Sequence, residues 1–257
     1  MLDPSLSQQR QCSKTDGLRK YMAKWYPIET CSGVEYARYI VPNFASNTIS
    51  VAGKEGVMTV ISPGESLLES FAQKHPEHDI DQGRRLRLVM PNSFHYMGVE
   101  AWKSRYPNAQ LFASKKAIKR LNKKGLFDIS ELQRGIPHMD GRAFWAIPPG
   151  HRGGDAWLCM PAGDGWLWVT CDSFLHYPRM SNQPVARIIQ RVMGAAPGLK
   201  LSRVIKYLLM SDRTAFKSWC TKFIAEHPPS ILLPSHGEPL LSEQLSNQLQ
   251  ALIDDRL

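Results

Sequence analysis

Ile147-Pro148-Pro149-Gly150-His151-Arg152-Gly153-Gly154, followed about twenty residues later by Trp166-Leu167-Trp168-Val169-Thr170-Cys171-Asp172-Ser173, is the stretch from which the fold of this chain can be read. An apolar run delivers a histidine through a Pro/Gly turn, and a second apolar run, bounded by Gly165, delivers an aspartate at its C-terminal end. A third piece, Ile231-Leu232-Leu233-Pro234-Ser235-His236-Gly237-Glu238-Pro239, repeats the arrangement: an apolar strand, then a histidine in a turn rich in proline and glycine. Each strand end offers one metal-competent side chain, and a rigid sheet fixes the geometry of groups carried on such loops.

The 257 residues, 43% apolar and 21% charged, suffice for one sizeable core, so the simplest reading is a single α/β domain over 1–257. No apolar run is long enough to span a membrane, and the opening MLDPSLSQQRQ lacks the core of a secretion signal. A cytoplasmic protein without a membrane partner is therefore expected. The cysteines (Cys12, Cys31, Cys159, Cys171, Cys220) are odd in number and form no CxxC pair, which points to reduced thiols. The formal charge of +9 is spread over Arg84–Arg87, Lys115–Lys124 and Arg187–Lys206 with no nucleic-acid-binding motif. These runs read as solvated faces, and nucleic acid is not the expected partner.

Taken in order, residues 1–45 show no clean period and read as an irregular arm, with a short helix near Leu18–Trp25. Asn47–Val60 reads as a hairpin turning at Gly53-Lys54-Glu55-Gly56. A helix follows Pro63-Gly64-Glu65 and closes before His75. His75, His78 and Asp79 form a polar connection rather than a metal site, because no strand presents them. Strands at Arg85–Met90 and Gln110–Ala113 alternate with helices at Glu100–Arg105 and Ser114–Leu121, the pattern of a layered α/β protein. Asp155–Met160 and Trp166–Cys171 form a hairpin bracketed by His151 and Asp172. Apolar residues spaced by threes and fours from Val185 to Leu209 predict two amphipathic helices, part of a helical insertion at 179–211 that covers the site mouth, forms a partner surface or packs on the sheet. Asp212 can cap a helix running to about Ala225, and Ser242–Ile253 predicts a last one.

The order Pro149-Gly150-His151, an apolar strand ending in Cys171-Asp172-Ser173, then Pro234-Ser235-His236-Gly237 resembles the second half of the metallo-β-lactamase fold, and the resemblance runs from about Asn47 onward. The family's early His-x-His-x-Asp-His is absent. In its place stands Pro91-Asn92-Ser93-Phe94-His95-Tyr96-Met97, resembling a divergent branch with a Pro-Asn-x-x-His segment. The resemblance implies a four-layer αββα sandwich, with His151 a ligand of a first metal, Asp172 the bridging carboxylate, His236 a ligand of a second metal, and His95 a further ligand.

Four candidates, His95, His151, Asp172 and His236, fall short of the roughly six or seven ligands that a two-metal clamp needs. One divalent metal is expected, zinc first and iron or manganese next, with a metal-free site as the alternative. Asn92, Arg152, His176 and Tyr177 are candidate pocket residues, and Asp155 could fix a histidine tautomer. Cys171, next to Asp172 on a strand, is expected to face the core. The expected activity is that of a hydrolase in which Asp172 and His236 serve a metal-bound hydroxide attacking an ester, amide or phosphoester of a small, anionic substrate. The rival is an inactive scaffold that binds a ligand or partner without metal.

Overall fold

The computed structural model describes residues 24–41, 44–136, 138–139 and 141–257. The first half forms one sheet whose strands lie side by side in chain order: β1 (Trp25–Pro27), β2 (Val34–Val41), β3 (Phe44–Ala52), β4 (Met58–Ile61), β5 (Leu86–Met90), β6 (Gln110–Ala113) and β7 (Ile129–Glu131). β1 to β4 are antiparallel neighbours, and β4 to β7 run parallel. Parallel neighbours need a crossover. Helices α1 (Leu68–Lys74) and the short α2 (Glu77–Ile80), α3 (Val99–Arg105) and α4 (Lys115–Asn122) supply the three crossovers.

The second half contributes β8 (Phe144–Ala146), β9 (Trp157–Ala162), β10 (Gly165–Thr170), β11 (Leu175–Tyr177), β12 (Gly198–Lys200), β13 (Pro229–Pro234) and β14 (Leu240–Leu241). Five of these make a second sheet in the order β14-β13-β10-β9-β8, and β11 pairs with β12 apart from it. Its helices are α5 (Pro184–Met193), a π-helical turn at Ile205–Leu209, α6 (Arg213–Glu226) and α7 (Leu245–Arg256).

Side-chain alternation sorts the strands into layers. From β10, Leu167 and Val169 enter the core between the sheets, together with Leu158 of β9, Ile231 and Leu233 of β13, and Ile49, Ile61 and Val89 of the first sheet. Trp168 points the other way, joining Trp157, Cys159 and Leu232 under Phe216, Phe223, Leu249 and Ile253 of α6 and α7. On the far face of the first sheet, Val60, Leu86 and Leu88 pack on Phe71, Trp102, Ala117 and Leu121 of α1, α3 and α4. Helix, sheet, sheet, helix: this is the four-layer sandwich expected. Each aliphatic side chain fully buried this way contributes about 1.5–3 kcal/mol of transfer free energy.

Two segments differ from the sequence reading. Residues 25–41 are not an irregular arm: β1 and β2 continue the first sheet, with Tyr36 opposite Ile49 and Ala37 opposite Thr48. Aromatic residues on both faces of β2 hide its period. The proposed helix near Leu18–Trp25 lies outside the described residues up to position 23, and Trp25 itself is in β1. Of the two helices expected over 185–209, the first forms and the second is shortened to a π-helical turn. Residues 198–200 pair with β11 instead, leaving the π-helical turn as the second coil. Cys31, Cys159, Cys171 and Cys220 are buried free thiols, and Cys12 lies outside the described residues.

Candidate metal centre and its cavity

β10 and β13 run parallel, with Thr170 opposite Pro234, so the loops after both strands emerge at one edge of the sheet. Asp172 and His236 are brought together there. The amide of Ser235 donates to Thr170 O at 3.1 Å, fastening one loop to the other. Asn47 holds the same loop from the first sheet, its Nδ2 donating to Pro234 O at 2.8 Å and Gly237 O at 3.0 Å. Gly237 takes φ +98°, and a Cβ there would collide with the carbonyl of His176. Glycine is required on both counts.

His95 follows β5 on the opposing sheet. Asn92 Oδ1 accepts from the amides of Phe94 at 2.8 Å and His95 at 3.2 Å, a side-chain-closed turn that aims the imidazole across the cleft. The result is convergence on one atom. His95 Nε2 lies 3.0 Å and His236 Nε2 3.2 Å from Asp172 Oδ1. Ligand atoms of the three residues all fall within 4.8 Å of one another. Donors about 2.0–2.1 Å from a tetrahedral centre sit about 3.3 Å apart, so this spacing is close to that of a cation site with three protein ligands and one open position.

The outer nitrogens are also anchored. His95 Nδ1 meets Ser62 Oγ at 2.8 Å, itself 3.3 Å from Tyr39 Oη. His236 Nδ1 donates to Ala45 O at 3.0 Å, which directs Nε2 inward, the arrangement a metal-ligating histidine requires. Without a cation, His236 must also carry a proton on Nε2 to bond Asp172, and is then an imidazolium. Burial opposes that charge, but the hydrogen bond and the negative charge of Asp172 prevail and raise the His236 pKa. Burial likewise pushes Asp172 up, yet the charge of His95 and the hydrogen bonds from His236 and His95 hold it well below the usual carboxylate range.

Behind this triad lies a second carboxylate. Asn92 Nδ2 donates to Asp172 Oδ2 at 2.6 Å and to Asp155 Oδ1 at 2.9 Å, and Ser173 Oγ donates to Asp155 Oδ2 at 2.6 Å. Burial pushes the Asp155 carboxyl up, against the pull of His151 and with the Asp172 charge adding to the rise. His151 is the partner of Asp155 here, its Nδ1 3.2 Å from Oδ1, while its Nε2 is buried with no hydrogen-bond partner. His95, Asp172 and His236 are thus brought together. His151 is not among them: it reaches the centre only through Asp155 and Asn92. Cys171 is buried, as expected, and its sulfur also lies within 4.8 Å of carboxylate oxygens of both Asp155 and Asp172. It sits past the end of β10, where strict alternation no longer holds. Burial pushes its thiol well above the ordinary range, which disfavours the nucleophilic thiolate.

A cavity of about 850 Å³ opens over the triad, touching Asp172 and His236. Its wall is mainly apolar, with Leu175, Ile189, Met193, Ile205 and Leu209 prominent, and Tyr177 and Arg179 among the polar groups. Of the four candidate pocket residues only Tyr177 lines it. Asn92 is buried between the carboxylates, Arg152 is exposed outside the wall, and His176 Nδ1 is engaged by Glu238 O at 2.9 Å. Arg179 and the wall of α5 were not foreseen; the apolar spacing of α5 was the available signal. The placement of Asp155 beside His151 was legible from its position four residues on.

Compared by sequence, the chain matches no protein-family model and no curated protein. Compared by structure, it is similar to the DIM-1 metallo-β-lactamase, with a TM-score of 0.62 at 11% identity over 90% of this chain and 97% of that one. A metallo-β-lactamase from Pontibacter korlensis gives 0.61 at 13% identity, covering 90% and 99%. The metal-soaked Flv1 flavodiiron core from Synechocystis sp. PCC6803 gives 0.59 at 16%, covering 90% of this chain and 60% of that one. At these identities the likeness concerns architecture, and it establishes that this chain has the metallo-β-lactamase fold.

Proposed function

We propose that the protein is a hydrolase working with one divalent cation held by His95, Asp172 and His236. The observation that carries the reading is the aim of two imidazole Nε2 atoms at a single carboxylate oxygen, 3.0 and 3.2 Å away, at the floor of a large cavity. Zinc suits the two-nitrogen, one-oxygen donor set best, with iron or manganese next. A bound cation would supply Lewis acidity, activating water and polarising an ester, amide or phosphoester.

The chain's own residues account for the rest. Asp172, held ionised, can take a proton from an attacking water. Tyr177, whose phenol burial pushes up to about 12 with the nearby Asp172 charge adding and Arg38 opposing, stays protonated at neutral pH. It can donate to an oxygen that gains charge. Leu175, Ile189 and Met193 exclude water around the apolar part of a substrate, and Arg179 favours an anionic group.

A second reading is a metal-free scaffold, favoured by the saturation of Asp172: two histidines occupy Oδ1 and Asn92 occupies Oδ2. Elemental analysis of protein purified without chelator separates the two, combined with turnover of a panel of aryl esters, acyl amides and phosphodiesters. About one metal per chain, with activity lost alongside metal in His95→Ala and His236→Ala, supports the hydrolase. A folded protein without metal or turnover supports the scaffold.

A further inference from the structure

We propose that the rim of the cavity is a docking face for an anionic lipid surface, built from α5 and the π-helical turn after β12. α5 has no buried residue, although its apolar positions are regularly spaced. Ile189 and Met193 line the cavity. Val185, Ile188 and Val192, at positions i, i+3 and i+7 of the same apolar stripe, are 66%, 63% and 64% exposed. The stripe therefore runs out of the cavity and over its edge. Across the mouth, Ile40 and Phe94 line the cavity while remaining 54% and 45% exposed. Tyr207 and Leu208 of the π-helical turn add two more exposed apolar side chains. An apolar collar around an apolar cavity is costly in water unless something covers it.

The charge around the collar selects the cover. From Arg179 to Arg213 the chain carries seven basic residues and one acidic one, Asp212, whose carboxylate caps α6 by accepting from the Ala215 amide. On α5, Arg187 and Arg191 fall on the polar side, away from the apolar stripe, and Arg203 lies beside the helix end, donating to Val192 O at 3.3 Å. An amphipathic helix with arginines on its polar side lies in the headgroup layer of an anionic bilayer, its apolar side chains immersed. A second copy is disfavoured as occupant, since two such collars face to face would oppose like charges. A helix lying on a surface contains no spanning run, which is why hydropathy alone gave no sign of a membrane partner. Docked this way, the cavity opens directly onto lipid, and under the hydrolase reading its substrate would be an amphiphile whose acyl chain occupies the apolar wall. The docking itself depends on neither metal nor turnover.

The test is co-sedimentation of the full chain, in chelator, with vesicles of phosphatidylcholine mixed with phosphatidylglycerol and with vesicles of phosphatidylcholine alone. Binding to the mixed vesicles at least tenfold stronger than to the neutral ones is expected, weakening as salt rises. Ile188→Glu with Val192→Glu should abolish it while leaving the melting temperature unchanged, because both side chains are exposed. Arg187→Gln and Arg191→Gln should weaken it by about fivefold each. Absence of binding, equal binding to neutral vesicles, or binding untouched by the α5 substitutions overturns the proposal. So does a wild-type dimer that Ile188→Glu converts to monomer without any vesicle binding, which would assign the collar to self-association.

Discussion

Replacing Asn92 with aspartate tests the electrostatic account of the centre. Asn92 Nδ2 stands 2.6 Å from Asp172 Oδ2 and 2.9 Å from Asp155 Oδ1, so Asn92→Asp exchanges a shared donor for a third carboxylate. Two like charges about 4 Å apart at an effective dielectric near 20 repel by about 4 kcal/mol. The cluster can avoid that by keeping a proton. Holding a carboxyl of ordinary pKa about 3.9 protonated at pH 7 costs about 4 kcal/mol, and about 1.5 kcal/mol at pH 5. A protonated carboxyl donates one hydrogen bond where the amide donated two, adding about 1–1.5 kcal/mol.

The expected loss is thus about 5 kcal/mol at pH 7 and about 3 kcal/mol at pH 5, against a typical total of about 5–15 kcal/mol. The sign follows from linkage: the native variant binds a proton that its unfolded chain releases above about pH 4, so its stability declines as pH rises through the folded pKa. Urea unfolding in chelator at both pH values reads the difference, and a saturating divalent cation should restore much of it at pH 7. A loss under about 1 kcal/mol at pH 7, or one that does not change with pH, would refute the reasoning.

His151→Ala removes the partner of a buried carboxylate without touching the triad, so it should cost about 3–5 kcal/mol by chemical denaturation while metal content stays at the wild-type level. In chelator, the raised pKa of His236 contributes stability that is complete below about pH 6.5 and lost as pH rises through its folded value. The depressed pKa of Asp172 contributes stability present above about pH 4 and lost on acidification. Melting temperature without metal should therefore peak between about pH 4 and 6.5, and with excess zinc the optimum should move upward, because protons compete for the same nitrogens. Gly237→Ala forces a Cβ into the His176 carbonyl at φ +98° and should cost about 2 kcal/mol or more, with metal affinity falling as the His236 loop shifts.

Much of this architecture was legible because strand ends are simple to place. The runs before Asp172 and His236 are short and apolar, the first opening at Gly165 and the second closing at Pro234, and parallel pairing of β10 with β13 then brings their ends together. His151 shows where such reading stops. Sequence order fixes where its backbone lies but not which way its ring turns, and the Asp155 carboxylate four residues on draws Nδ1 to itself. β2 was hidden by aromatic residues on both faces. The second of the predicted helices was shortened because residues 198–200 had a better partner in β11, an arrangement no local period reports. The cavity wall was partly visible as amphipathic spacing, yet which part of the stripe faces inward is decided only by how α5 sits against the cavity.

The central claim is that three side chains, and not a fourth, define one cation site. Anomalous diffraction from zinc-soaked crystals tests it most directly. A single peak bounded by Nε2 of His95, Nε2 of His236 and the Asp172 carboxylate is the expected result. A peak at His151 or among Asp155, Cys171 and Asp172, or a zinc-soaked crystal with no peak in the cleft, would contradict it.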